Sequence, residues 1–578
     1  MKRNNRYIFK IALIMLVFPM ACKESFLDQD NTFQSNADAL STKKEAVIGL
    51  VNGIYDTYQN SDLLKKCIWY RANFGTHDFF NWGGDVFWNN YQIPSTFGGL
   101  STLWNQSYIG IARANSAFTT ITKAQTKGVI DASLANRLKG EAYFLRGLTY
   151  YYLASCFGGV PLEVDTSGAL NLGLRPRSPR DSVYMQVVAD MKKAETLLWS
   201  KKDLPKADLG RATKGAAFAY EGAAQMWLKN YPAALAAFNS QELSSNYALL
   251  KKFADVHEYD NQNNNESLFE IQFEVKSGDP QDWGGSWNPP GGEIAWIDSF
   301  SWPEEITQQG YDYGNPALWN SFQEGDQRKL LTIVGPGDTI ASPGIIKAWG
   351  GIKGYIPVKD GFAGGNKKYT ADDGSILNTC GTQTRPWYGS DNGRTGYYCS
   401  KKWRDYNLTG GYGPQKIFGD QNQILMRYAE VLLSRAECKI RTNDIAGAMA
   451  DLKTVRDRAW GGIAPAVMKD SANFDGTPGQ PITDPLQMVL SEYRHELAGE
   501  YSLFFNLCRA GTDVAIAFIK KANGTVDGSY EPVVNPAPGP THDGKKHGLY
   551  NTTLTPEKTL LPIPQVAISL NPNLTPNP

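Results

Sequence analysis

Histidine is scarce in this chain, with five among 578 residues, at positions 77, 257, 495, 542 and 547. A cluster of imidazole ligands for a catalytic metal is therefore not expected. His495-Glu496-Leu497-Ala498-Gly499 begins like the zinc motif HExxH, but Gly499 stands where the second histidine is needed. None of the seven cysteines forms a CxxC pair, which removes zinc-ribbon and redox-motif readings. No Walker loop, dinucleotide fingerprint or GxSxG elbow occurs. Asn263-Asn264-Asn265-Glu266 is a polar turn without calcium-loop spacing. Charge of one sign is missing too, since 58 basic residues face 58 acidic ones. Nucleic-acid binding needs a basic face and is not expected. The expectation is a chain with no cofactor, no metal and no catalytic residue.

Aromatic residues, glycine and proline are abundant: 15 Trp, 29 Tyr and 25 Phe beside 56 Gly and 31 Pro. That aromatic density exceeds the needs of a helical core, and the Gly and Pro content implies long loops to display the surplus. At the N-terminus, Lys2, Arg3, Arg6 and Lys10 form a positive n-region before the apolar run from Ile11 to Phe18. Met20-Ala21 then precedes Cys22, as in an export signal over residues 1–21. The run is well short of the roughly 20 residues that span a bilayer, and no later stretch approaches that length. Cys22 directly after the cut is the expected acceptor of a lipid anchor, although Pro19 and Met20 depart from the usual lipobox. Removing residues 1–21 leaves a net charge of −4. Cys156, Cys438 and Cys508 fall in helical patterns and are expected as small buried hydrophobes. Cys380 and Cys399 share a loop-rich stretch and could pair in an oxidising compartment, a geometry that sequence does not supply.

Periodicity predicts a mostly α-helical protein. Helices are expected over 36–60, 102–123 and 131–156, the last stopped by Gly158-Gly159. Another opens at Ser178-Pro179 and runs to Leu198, and one long helix covers 485–509. Two broken pairs, 212–240 and 422–460, look alike. Ala217 to Leu228 followed by Tyr231-Pro232-Ala233-Ala234-Leu235 parallels Leu425 to Ile440 followed by Ile445-Ala446-Gly447-Ala448-Met449. Small residues at close helix contacts are what tetratricopeptide-like pairs use. Residues 265–275 alternate like a strand. From 276 to 420 the chain is rich in Gly, Pro, Trp and Asn, with one helical run at 316–323. Loops of that length inside an ordered protein usually carry function. The resulting division is a scaffold at about 36–260 and 420–510, a loop-rich region at about 261–420, and an extended tail at 511–578.

These pieces occur in a familiar order. Phe26-Leu27-Asp28 follows Cys22, then come Trp104…Tyr108-Ile109…Ala114-Asn115 and Gly140-Glu141-Ala142-Tyr143-Phe144-Leu145-Arg146. Tyr150-Tyr151, Phe157-Gly158-Gly159-Val160-Pro161-Leu162 and Gly210-Arg211-Ala212-Thr213-Lys214-Gly215 come next. Arg427-Tyr428-Ala429-Glu430, Val455-Arg456-Asp457-Arg458, Arg494-His495-Glu496-Leu497 and Leu561-Pro562-Ile563-Pro564 close the series. The chain resembles the SusD-like (SusD/RagB) outer-membrane lipoproteins of Bacteroidetes along nearly all its mature length. Tyr493, where arginine is usual, and the ending Leu574-Thr575-Pro576-Asn577-Pro578 depart from the pattern. The resemblance implies a right-handed helical scaffold with tetratricopeptide-like pairs. It also implies a lipid-anchored cell-surface protein that closes over a SusC-like TonB-dependent transporter, and Lys23-Glu24 resembles the surface-export tag of such lipoproteins. Arg146, Arg211, Arg427 and Glu430, set among apolar helix residues, are expected as buried ion pairs that shape the scaffold.

A sugar ring offers apolar faces and a rim of hydroxyls, so its binding wants flat aromatics with amide and carboxylate neighbours. Two segments supply that mixture, 69–91 and 283–313. Trp82, Trp283, Trp296 and Trp302 are the expected stacking surfaces, with Trp88 and Trp287 in support and Asn81, Asp85 and Asn288 as hydrogen-bonding neighbours. The expected ligand is an oligosaccharide or polysaccharide, for which a linear β-glucan or xyloglucan has a suitable shape. A helical glycoside hydrolase, needing only two spaced carboxylates, and peptide capture by the same kind of lipoprotein are the alternatives.

Overall fold

The computed structural model describes residues 37–81, 85–164, 175–274, 312–334, 352–356, 368–371, 376–377, 398–399, 421–469, 479–522, 531–532, 547–548 and 554–577. It is mostly helical, as the periodicity predicts. Helix α1 (Lys44–Tyr55) leads through a π-helical turn (Leu64–Trp69) into α2 (Tyr70–Phe74) and strand β1 (Phe79–Asn81). Two long helices follow, α3 (Gly98–Thr126) and α4 (Ala132–Phe157). The Asp131 carboxylate accepts from Leu134 N–H at 2.8 Å to start α4, and Gly158 ends it at φ 76°, a conformation that favours glycine. Helix α5 (Arg180–Leu197) starts just after Pro179 and packs against α4.

The two broken pairs are α6 (Lys214–Trp227) with α7 (Tyr231–Phe238), and α10 (Tyr428–Arg441) with α11 (Ile445–Trp460), the start expected for the second pair being corrected because Gln423–Arg427 is a strand. Their turns match residue for residue. Lys229 and Asn443 are both left-handed, at φ 59° and 66°, and each stands two residues before the second helix begins. Gly222 explains the closeness within the first pair, because a Cβ there would lie 2.4 Å from the Phe238 ring. Helix α7 packs on α10, so two units far apart in sequence sit side by side.

The loop-rich region enters and leaves through one antiparallel pair. Strand β2 (Ser267–Ile271) lies against β4 (Gln423–Arg427), with Ser267 opposite Arg427 and Ile271 opposite Gln423. Between them come β3 (Asp312–Gly314), α8 (Pro316–Ser321) and α9 (Arg328–Thr332). Asn315 caps α8, its side chain accepting from Ala317 N–H at 2.8 Å.

The expected long helix over 485–509 is instead two, α12 (Pro485–Leu497) and α13 (Leu503–Ala510), followed by α14 (Thr512–Ala522). Gly499 turns left-handed at φ 83°. Its N–H donates to Asn73 Oδ1 at 2.7 Å and its carbonyl accepts from the Trp69 indole at 2.9 Å. Partners over 400 residues away replace the helical bonds that the break removes.

The tail crosses the ends of α3 and α4. Leu561 N–H donates to Cys156 O at 2.7 Å and Gln565 N–H to Ser95 O at 2.9 Å. The expectation of an extended tail from 511 is corrected at its start, where α14 is helical, and among the described residues the later part carries a 3-10 turn at Glu557–Thr559 and a short helix at Gln565–Leu570. Cys156 and Cys438 are buried and Cys508 is partly buried, while Cys380 lies outside the described residues.

Most of the buried charges among the described residues are paired. Arg146 grips Asp190 with two bonds of 2.9 and 2.6 Å, and Arg211 reaches Glu141 at 2.9 Å. Glu430 corrects the ion-pair expectation, since its carboxylate accepts from Ser502 Oγ at 2.8 Å and Asn506 Nδ2 at 2.7 Å. Arg427 belongs to a larger hub. It contacts Glu266 at 2.7 Å, Glu496 at 2.5 Å and Glu500 at 2.8 Å. Arg328 meets Asp326, Glu492 and Glu496, Arg456 meets Glu492, and Arg458 meets Glu266 and Glu496. The hub joins β4, α9, α11 and α12.

Candidate functional site

Strand β1 pairs antiparallel with β3, with Phe79 opposite Gly314, Phe80 opposite Tyr313 and Asn81 opposite Asp312. The two aromatic-rich segments singled out by composition therefore meet. Trp82 follows Asn81 in the chain and Tyr311 precedes Asp312, so one segment departs beside the point where the other arrives.

A buried polar node holds this junction. Lys65 Nζ lies 2.7 Å from Asp312 Oδ2, both side chains about 1% exposed, and 3.8 Å from the centre of the Trp69 ring. Asn81 Nδ2 donates to Asp312 Oδ1 at 2.9 Å, and Asn81 Oδ1 accepts from Asp85 N–H at 3.3 Å. The Asn89 side chain imitates a strand partner for Asn81, donating to its carbonyl at 2.6 Å and accepting from its N–H at 3.0 Å. Asp78, beside β1, accepts from Arg494 at 2.8 Å.

The stretch of the first segment around β1 is flanked by two residues of strained backbone. His77 and Tyr91 are left-handed at φ 59° and 51°, and their rings stack with centres 4.8 Å apart. Bulky residues adopt this conformation only where surrounding contacts enforce it. Tyr91 donates to Gly75 O at 2.8 Å and His77 Nε2 lies 2.9 Å from Asn89 O.

Burial pushes the His77 imidazole down to about pH 4, against the Asn89 contact that favours the proton. Unfolded histidine takes its proton near 6.5, so between about 6.5 and 4 the unfolded chain binds a proton the folded chain refuses. Stability is full above that window and falls as pH drops through it, by about 3 kcal/mol for His77. His495, also buried and lowered by burial and nearby arginines, adds to the slope. Denaturant midpoints at pH 7, 6 and 5 check this. His77→Asn should flatten the decline, and an unchanged slope in that variant would refute the assignment.

The expected site residues divide sharply. Trp82, Trp283, Trp287, Asn288, Trp296, Trp302 and Cys22 lie outside the described residues. Trp88 is corrected, being 1% exposed and packed edge-on against Tyr70 and Phe97 at 5.9 and 6.3 Å. Its ring offers no face to a ligand. Asn81 is corrected likewise, because its amide is buried and spent on Asp312 and Asp85. Trp69, Tyr70, Phe74, Phe79 and Phe80 are core as well, so much of the first segment's aromatic surplus is packing. Asp85 is half-buried; burial raises its carboxyl, opposed by Lys66 and reinforced by Asp312 and Asp62.

Sequence reading missed Lys65, Asn89 and Asp312. Lys65 left a trace as a charge inside Leu63-Leu64-Lys65-Lys66-Cys67-Ile68-Trp69, where burial demands a partner. The residues of the incomplete HExxH are structural. His495 Nε2 lies 3.0 Å from Ser321 Oγ and Glu496 sits in the arginine hub. Among the described residues no group of three or more His, Cys, Asp or Glu side chains could hold a metal ion, and no helix is long and apolar enough to cross a membrane.

A body of tetratricopeptide-like helix pairs carrying a loop-rich insertion is the class that this fold defines. The chain belongs to the SusD family, whose model matches residues 249–578. A second model, described as starch-binding and associating with the outer membrane, matches residues 25–228. SusD-like protein P25 of Formosa agariphila is 24% identical over 528 residues, covering 87% of this chain and 89% of its own. A laminarin-binding SusD-like protein superposes with a TM-score of 0.64 at 21% identity, over 93% of this chain and 99% of its own. A structure solved with xylogluco-oligosaccharide gives 0.64 at 17% identity, over 91% and 97%.

Proposed function

We propose that this chain is a lipid-anchored outer-membrane surface protein that binds glycan without cutting it and delivers it to a SusC-like TonB-dependent transporter. The observation that carries the reading is the β1–β3 register, which brings the middle of one tryptophan-rich segment and the end of the other to one junction. Trp82, Trp283, Trp296 and Trp302 stack on sugar faces, with Trp287, Asn288 and Asp85 at the edges. Lipid on Cys22 holds the protein beside its transporter. Laminarin and xylogluco-oligosaccharide, named for two structural relatives, are both built on β-linked glucose, which supports a β-glucan ligand.

Native electrophoresis in gels containing β-glucan tests the platform. The wild-type chain should be retarded, and Trp82→Ala with Trp283→Ala should weaken binding by about tenfold or more, the equivalent of about 1.4 kcal/mol. Full retardation of the double variant would refute the platform. Retention by peptide but not glycan, or new reducing ends after incubation with polysaccharide, would favour the peptide-capture or hydrolase alternative.

A further inference from the structure

Among the described residues, the buried arginines other than Arg71 face a carboxylate. Arg71 does not. Its side chain is fully buried, and among the described residues no Asp or Glu pairs with it. Nη2 donates to Lys558 O at 2.6 Å and the guanidinium lies 4.2 Å from the centre of the Phe504 ring. Nε and Nη1 are buried with no hydrogen-bond partner. A guanidinium keeps its proton even when buried, so the charge cannot be relieved by loss of a proton as it can for lysine. The nearby titratable groups do not neutralise it. Burial pushes the thiol of Cys156 up to about 12 and that of Cys508 up to about 11, and the Tyr91 hydroxyl rises for the same reason. All three are uncharged at neutral pH.

We propose that a small monovalent anion of the halide class binds in the core beside Arg71, accepting hydrogen bonds from Nε and Nη1. A water molecule would satisfy those hydrogens but leave the charge uncompensated. Because Lys558 belongs to the C-terminal tail, the anion ties α2, α13 and the tail to one point.

The mature wild-type chain and Arg71→Met are unfolded by heat in sodium chloride and in sodium gluconate at equal ionic strength. The wild-type Tm should rise with the logarithm of chloride concentration relative to gluconate, and Arg71→Met should lose that difference. Crystals grown in sodium bromide provide a second measurement that needs no variant. Anomalous density within hydrogen-bond distance of Arg71 Nε and Nη1 is expected. Water alone at that position, or a chloride dependence equal in both proteins, overturns the proposal. If Arg71→Met does not fold, Arg71→Gln takes its place in the salt comparison and the bromide map decides.

Discussion

Replacing Glu496 by glutamine is expected to destabilise the protein by about 3–5 kcal/mol, the range for breaking a buried charge pair from one side. Glu496 accepts from Arg427 at 2.5 Å and Arg328 at 2.8 Å and contacts Arg458 as well, with all four side chains almost wholly buried. Burial alone would raise its carboxyl, but Arg458, Arg427 and Arg328 outweigh burial and hold it well below the usual carboxylate range. By linkage this stabilisation is complete above the unfolded value near 4.5 and is lost as pH falls toward the depressed folded one. At neutral pH the substitution therefore exposes the whole effect. Denaturant titration of wild type and Glu496→Gln measures it, and a change under 1 kcal/mol would sink the claim. Pairing Glu496→Gln with Arg458→Met should cost less than the two single changes added, because the second removes a charge the first left unpartnered.

Asp312→Ala is expected to open the junction between the two aromatic segments. It removes the buried carboxylate that Lys65 faces at 2.7 Å and takes the acceptor from Asn81 Nδ2, both through one side chain. The expected loss is again about 3–5 kcal/mol. It should be concentrated in β1 and β3, so amide exchange at Phe79 to Asn81 ought to accelerate more than exchange in α4. Under the proposed function, glycan retention falls together with that protection. Lys65→Met combined with Asp312→Leu should recover most of the stability, since an apolar pair of similar volume removes the desolvation cost. Unchanged protection of β1 in Asp312→Ala would show that the node does not hold the junction.

Helices were the most legible part of the sequence. Each carries its own 3.6-residue pattern and local stop signals, such as Gly158, or Asn443 and Asp444 before α11. The break at Gly499 was not legible, because a lone glycine is tolerated within a helix and the groups that stabilise the break, Asn73 and Trp69, lie more than 400 residues away. The same reason hid the site's frame. Strands of three residues have too little pattern to announce themselves, and Asn81 finds Asp312 across 231 residues. Composition located the aromatic-rich segments without telling core from display. Trp88 and Trp69 read like Trp82 in sequence, yet both are packed against neighbouring rings.

By itself the sequence determined the helical class, the repeated helix pairs with their matching turns, the SusD-like motif order and the need for buried arginines to find carboxylates. These follow from local periodicity and from the cost of burying charge, which hold wherever the chain runs. Only the tertiary structure decided which carboxylate each arginine meets, which aromatics are core, and that β1 and β3 join the two segments. Those outcomes depend on contacts between residues hundreds of positions apart, and no local pattern specifies them.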